Sequence, residues 1–222
     1  MAGPVTPVTQ SALAAERQVT EWLARVQVLP VLTVSDIRTV EVTCRALADG
    51  GVSCVEITYR TACANEAIEL ASQIPGLMVG AGTVLDAGQA AAAARAGARF
   101  AVAPGLSEPV VAAAQEIGLP FFPGVATPSE IDRARSLGCR VVKVFPVSSL
   151  GGPAFVRSVS APYPDMRFIP TGGINDATIG QYLKLPAVLA CGASWLCEQD
   201  LVAAGRFDEI RRRAEATLAA VR

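Results

Sequence analysis

Short β-branched runs alternate with Ala-, Glu- and Arg-rich helical stretches eight times along this chain. That alternation constrains the fold more than any other feature. Strands separated by helices lie parallel and are covered by those helices. Strands are expected near residues 28–34, 53–58, 78–82, 99–103, 120–123, 140–144, 166–170 and 187–191. Helices are expected near 37–48, 64–74, 87–96, 108–116, 128–137, 152–159 and 176–183, with a last one near 207–220. Capping residues open several of them (Ser35-Asp36, Asp86, Ser107 and Asn175), and Gly51, Gly97 and Gly138 close others just ahead of a strand. An amphipathic stretch at 11–25 adds a helix before the first strand, and residues 1–10 are expected to be disordered. Eight such units in about 190 residues predict a single (β/α)8 TIM barrel domain over 1–222. An open doubly wound sheet would show fewer repeats and a glycine-rich first turn, and neither GxGxxG nor GxxxxGK(S/T) occurs.

Composition removes whole classes of chemistry. The 222 residues are 51% hydrophobic with a formal net charge of −1, which excludes a disordered chain and offers no electrostatic footprint for nucleic acid or an anionic membrane. No apolar run reaches the roughly 18–20 residues that span a bilayer. The first residues show neither the basic nor the apolar region of a signal peptide, so a cytoplasmic protein is expected. Histidine is absent. Ser-His-Asp and Cys-His nucleophilic systems, His-ligated zinc and imidazole acid–base catalysis are therefore out, and no metal or other cofactor is expected. Six cysteines (Cys44, Cys54, Cys63, Cys139, Cys191, Cys197) form no CxxC pair and sit mostly in apolar segments, as reduced structural thiols do.

Among 19 cations only Lys143 and Lys184 are lysines. Lys184, on a helix before Leu185-Pro186, reads as surface. Lys143 is flanked by valines in Arg-Val-Val-Lys-Val-Phe-Pro, so it either snorkels from a strand end or enters an apolar barrel. Inside a barrel, desolvation disfavours the ammonium and leaves a nucleophilic amine. Glu56, in Ser-Cys-Val-Glu-Ile-Thr-Tyr-Arg, is costly in a strand unless paired or used. It is either an ion-pair partner or, with no imidazole in the chain, the proton shuttle beside a reactive amine. A common spacing links them. A helix-ending glycine precedes Glu56, Val102 and Lys143 by five residues each, on strands two, four and six. Alternate strands fill one layer of a barrel, so Glu56 and Lys143 are expected to meet across the lumen.

The strand ends carry further candidates. Arg60 falls at the C-terminal mouth, where its planar fork suits a carboxylate. In Gly80-Ala81-Gly82-Thr83, small residues let substrate approach the backbone and the Thr83 hydroxyl can donate to a carboxylate. Barrel glycines also serve packing alone. Thr171-Gly172-Gly173-Ile174-Asn175 after strand seven and Gly192-Ala193-Ser194 after strand eight match the place where barrels bind phosphate through backbone amides.

Taken together, these segments resemble the class I 2-keto-3-deoxy-6-phosphogluconate (KDPG) / 4-hydroxy-2-oxoglutarate (KHG) aldolases, over almost the full length after the first twenty-odd residues. The resemblance rests on Gly51 with Val55-Glu56-Ile57-Thr58-Tyr59-Arg60, and on Gly138 with Val142-Lys143-Val144-Phe145-Pro146 reaching Gly151. It also rests on Gly80 to Val84, Pro104-Gly105, Pro123-Gly124, Pro170 to Ile174 and Gly192 to Trp195, in that order. Tyr59, Val144 and Val147 depart from the family's usual residues, which puts pocket shape and substrate preference in question.

The resemblance implies that Lys143 forms a Schiff base with the C2 ketone and that Glu56 moves the protons. It implies that Arg60 and Thr83 hold the carboxylate, and that Pro104 and Phe145 shape the pyruvyl pocket. Gly172, Gly173 and Ser194 would hold the distal phosphate, with Thr171 on the chain between. The products would be pyruvate and glyceraldehyde 3-phosphate, in sugar-acid catabolism, from a homotrimer. Three alternatives remain open: the galactonate epimer, unphosphorylated 4-hydroxy-2-oxoglutarate, or a non-catalytic barrel that binds a phosphorylated metabolite.

Overall fold

The structure, a computed structural model, describes residues 10–221. The expectation of a disordered stretch over 1–10 falls outside them, except that Gln10 already opens the first helix, α1 (Gln10–Val26). Parallel ladders join β1 (Val28–Leu32), β2 (Cys54–Thr58), β3 (Met78–Gly82), β4 (Phe100–Val102) and β5 (Phe121–Phe122) in sequence order. They likewise join β6 (Gly124–Val125), β7 (Val141–Val144) and β8 (Arg167–Pro170). β5 and β6 are one stave interrupted at Pro123, whose carbonyl still accepts from Lys143 N at 2.9 Å. The ring closes through residues 187–193. Phe168 on β8 exchanges hydrogen bonds with Ala187 and Leu189, and β9 (Cys191–Ala193) pairs with Val28–Pro30 of β1. Eight staves result, as the sequence implies.

Both faces of each stave are covered, so the strands are buried throughout; only Arg167, at the start of β8, is exposed. Around the ring pack α2 (Val40–Asp49), α3 (Ala64–Ser72), α4 (Ala87–Arg95), α5 (Glu108–Glu116), α6 (Pro128–Ser136), α7 (Gly152–Ser160), α8 (Ile179–Leu183), α9 (Gln199–Ala203) and α10 (Phe207–Val221). Helix α1 covers the N-terminal end of the barrel: Val19 and Leu23 are buried, and Trp22 Nε1 donates to Ser53 O at 3.1 Å. A cleft of about 600 Å³ opens at that end, between Leu13 and Glu16 of α1 and Val111, Phe121, Arg140 and Arg167. It contains none of the candidate residues.

Helix ends explain the shared spacing. Gly51, Gly97 and Gly138 have φ of +88°, +98° and +87°. In each unit the following residue donates five residues back: Val52 to Leu47, Ala98 to Ala93 and Cys139 to Ala134. This is the left-handed glycine ending that returns the chain at a fixed angle. A fixed exit fixes the register of the next strand, and β2, β4 and β7 enter the barrel alike.

Element ends differ from expectation where side-chain chemistry is weak. Helix α2 begins at Val40, after a 3₁₀ turn (Ile37–Thr39) opened by Asp36, which accepts from Arg38 N. Residues 176–178 form a turn held by Asn175 Oδ1 and Thr178 N at 3.1 Å, so α8 starts only at Ile179. The last stave extends past residue 191. Gly192 and Ala193 lie within it rather than after it, and Ser194 opens a 3₁₀ turn. Two small residues give no apolar strand signal. They fit here because a Cβ at Gly192 would stand 2.4 Å from Thr171 Oγ1.

Candidate functional site

Partner residues across a parallel ladder point to one face. Glu56 pairs with Gly80, Gly80 with Phe100, and Lys143 with Gly124 and Ile169. Inside the barrel, Lys143 Nζ donates to Glu56 Oε1 at 3.1 Å and to Oε2 at 3.4 Å. The side chains are 7% and 1% exposed. The predicted meeting of strands two and six across the lumen is present. Each charge is desolvated and compensated by the other, and a proton can pass between them without an intervening group.

Every other predicted residue stands at the C-terminal end of a stave. The Lys143 ammonium lies 5.8 Å from the ring centroid of Phe145, within reach of a cation–π contact. Gly172 packs on that same ring, since a Cβ there would stand 3.2 Å from it. Thr83, next after β3, has φ of +57°. A β-branched residue in the left-handed region costs about 1–3 kcal/mol, and such strain gathers at functional sites. Thr171 is 7% exposed at the end of β8, and Pro104 follows β4, with its backbone against Gly124. The side chains of Arg60 and Ser194 are exposed and hydrogen-bond to no other described residue; Gly173 is exposed beside them at the mouth. Lys184 is exposed at the end of α8, as expected.

One of the sequence readings changes. Gly80 and Gly82 do not leave open backbone: a Cβ at Gly80 would meet the Phe100 ring at 2.2 Å, and one at Gly82 would meet Glu56 Oε1 at 2.2 Å. Side chains of the same chain fill both gaps. The three departures from the family pattern also stand apart from the Lys143–Glu56 contact. Tyr59 OH donates to Asn65 on α3, Val144 alternates away from Lys143 along β7, and Val147 is fully buried in the 3₁₀ turn Val147–Leu150.

Further polar groups at this end escaped the sequence reading. The Thr33 and Thr58 hydroxyls lie 2.8 Å apart beside the mouth. Ser148 Oγ lies 2.5 Å from the place of a Gly173 Cβ. Threonines at strand ends and a serine in a short turn are too common to stand out. Only the strand alternation that carries Glu56 inward would have carried Thr58 with it. Burial pushes the Cys197 thiol up, and the nearby carboxylate of Glu56 adds to the effect.

Among the described residues, no group of three or more Cys, Asp or Glu is placed to hold a metal ion, and no helix is long and apolar enough to cross a membrane.

Comparison with known proteins points the same way. The 2-dehydro-3-deoxy-phosphogluconate aldolase of Treponema pallidum (strain Nichols) is 42% identical over 199 residues, 89% of this chain and 95% of that protein. The KHG/KDPG aldolase of Escherichia coli (strain K12) is 41% identical over 188 residues, 84% of this chain and 88% of that protein. The KDPG aldolase of Legionella pneumophila, solved with pyruvate captured as a covalent carbinolamine intermediate, superimposes with a TM-score of 0.85 at 32% identity. That match covers 94% of this chain and 98% of the other. The sequence model of the KDPG and KHG aldolases matches residues 19–213, and the chain belongs to that aldolase family.

Proposed function

We propose that this protein is a class I aldolase that cleaves 2-keto-3-deoxy-6-phosphogluconate to pyruvate and glyceraldehyde 3-phosphate through a Schiff base on Lys143. The observation that carries the reading is the buried 3.1 Å contact between Lys143 Nζ and Glu56 Oε1, in a chain of this family.

The chemistry follows from that pair. Glu56 takes a proton from Lys143, and the neutral amine attacks the C2 ketone to give a carbinolamine. Glu56 returns the proton to the departing hydroxyl, and loss of water leaves an iminium. Removal of the C4 hydroxyl proton breaks the C3–C4 bond, and its electron pair moves into the iminium to form an enamine. The aldehyde leaves. Protonation of the enamine carbon and hydrolysis then release pyruvate and restore the amine. The imine is the electron sink, so the reaction asks nothing of a metal.

The mouth residues supply binding. Arg60, exposed and without a partner among the described residues, and the strained Thr83 are assigned to the substrate carboxylate. Pro104 and Phe145 flank the pyruvyl unit, and Thr171 faces the chain between. The amides of Gly172 and Gly173, with the Ser194 hydroxyl, are assigned to the phosphate. Cleavage of 4-hydroxy-2-oxoglutarate belongs to the same proposal, as do a cytoplasmic location and a homotrimer. Sedimentation of the purified chain tests the trimer, and fractionation of cells tests the location.

Trapping tests the mechanism. Incubation with pyruvate and borohydride should add one pyruvate-derived mass per chain, on the peptide containing Lys143. A label on Lys184 would overturn the assignment. Pyruvate release from the two 6-phospho epimers and from 4-hydroxy-2-oxoglutarate ranks the substrates.

A further inference from the structure

Gly82 closes β3 one register step above Gly80, with Thr58 as its partner on β2. A Cβ built there would stand 2.2 Å from Glu56 Oε1, 2.5 Å from Cγ and 2.7 Å from Cδ. The whole outer half of the Glu56 side chain occupies the space a methyl group would need. The same oxygen, Oε1, accepts from the ammonium of Lys143 at 3.1 Å. With Glu56 only 1% exposed, solvent offers it no alternative seat.

We propose that Gly82 is a positioning residue for proton transfer: the missing side chain at position 82 is what lets the Glu56 carboxylate stand within hydrogen-bond reach of Lys143. The inference rests on the reading of Glu56 as the proton carrier. It assigns Gly82 no contact with substrate.

Other glycines of the barrel show why this one differs. A Cβ at Gly124 would strike the backbone of Pro104 at 2.2 Å, and one at Gly80 would strike the Phe100 ring. Backbone and a packed aromatic ring resist displacement, so those glycines serve the fold. At Gly82 the obstacle is the far end of a flexible side chain. That end can swing away without displacing the barrel backbone, and in swinging it leaves the amine. Its φ is not in the left-handed region, so alanine fits the backbone. Substitution therefore spares the backbone, and its cost falls on the buried Glu56–Lys143 pair.

The test is a double-mutant cycle on Gly82→Ala and Glu56→Ala, read as kcat, KM and thermal unfolding. Alanine at position 56 lacks the Cγ, Cδ and Oε1 atoms that stand in the contested space. General acid–base catalysis contributes about 10²–10⁴-fold, so Gly82→Ala alone should lower kcat by about 100-fold with little change in KM. In the Glu56→Ala background the same substitution should cost less than about threefold, a departure from additivity expected of groups in contact. Equal losses in both backgrounds, or an unchanged kcat in Gly82→Ala, would overturn the proposal.

If Gly82→Ala does not fold, the comparison moves to Glu56→Ala with and without it. Removing the Glu56 side chain should then restore folding, and failure to do so also overturns the inference. Glu56→Gln tests the underlying reading separately. Full activity in that variant removes Glu56 as proton carrier, whatever the cycle shows.

Discussion

Lys143 and Glu56 bind each other's fates because neither is solvated. Lys143→Arg keeps a charge but cannot form an imine, so borohydride labelling and cleavage should both be lost, as mass spectrometry and a pyruvate assay would show. Glu56→Gln should slow turnover severely while still allowing some label on Lys143. Stability follows a different rule. Lys143→Met strands a buried carboxylate and should cost about 3–5 kcal/mol in urea unfolding, whereas Lys143→Met with Glu56→Gln should recover most of it. An additive double variant would mean that water reaches the pair. The cysteines give an independent check on burial. Cys44, Cys54 and Cys139 are pushed up to about 12 by desolvation, and Cys191 and Cys197 are raised as well. Cys63 alone is half-buried. Iodoacetamide at pH 8 should modify Cys63 in the native protein and the other five only after unfolding.

Elements were legible where local chemistry is strong. The offset from Gly51, Gly97 and Gly138 placed Glu56 and Lys143 in one layer because each glycine sets the same chain reversal, independent of what packs around it. Gly138→Ala should therefore cost about 1–2 kcal/mol through its positive φ, with kcat/KM unchanged, since its Cβ would meet nothing closer than 3.6 Å. Gly97→Ala should cost more, because Ser72 stands 2.8 Å from the added carbon. Chemical denaturation of both variants ranks them. The last stave was misplaced for the opposite reason. Gly192 and Ala193 show no strand pattern, and their place depends on Thr171, which is distant in sequence. The use of Gly80 and Gly82 was equally hidden, because a glycine's neighbour in a barrel belongs to another strand. Helix α9, five residues long, carries too little periodicity to be seen.

At the scale of the molecule, the two ends of the barrel divide the work. Helix α1 covers one end, and the glycine-rich turn after β8 and the Ser194 turn after β9 lie at the other, with Arg60 and Thr83. If those turns grip a phosphate, removing it from the substrate forfeits at least two hydrogen bonds to a charged group. Such bonds are worth about 1.5–3 kcal/mol each, so kcat/KM should fall by roughly 100-fold or more. Equal efficiency on the unphosphorylated substrate would favour 4-hydroxy-2-oxoglutarate instead. Activity should also survive exhaustive chelation, and loss restored by zinc or magnesium would contradict an imine as the electron sink.

The near-absence of lysine has a practical side. One of the two lysines is buried within the barrel and the other stands in water at the end of α8. Amine-directed reagents therefore meet a surface that is almost blank. Among the described residues, a succinimidyl dye or a surface-coupling linker finds Lys184, which stands away from the Lys143–Glu56 pair. The enzyme can be tethered or made fluorescent in its native state without engineering.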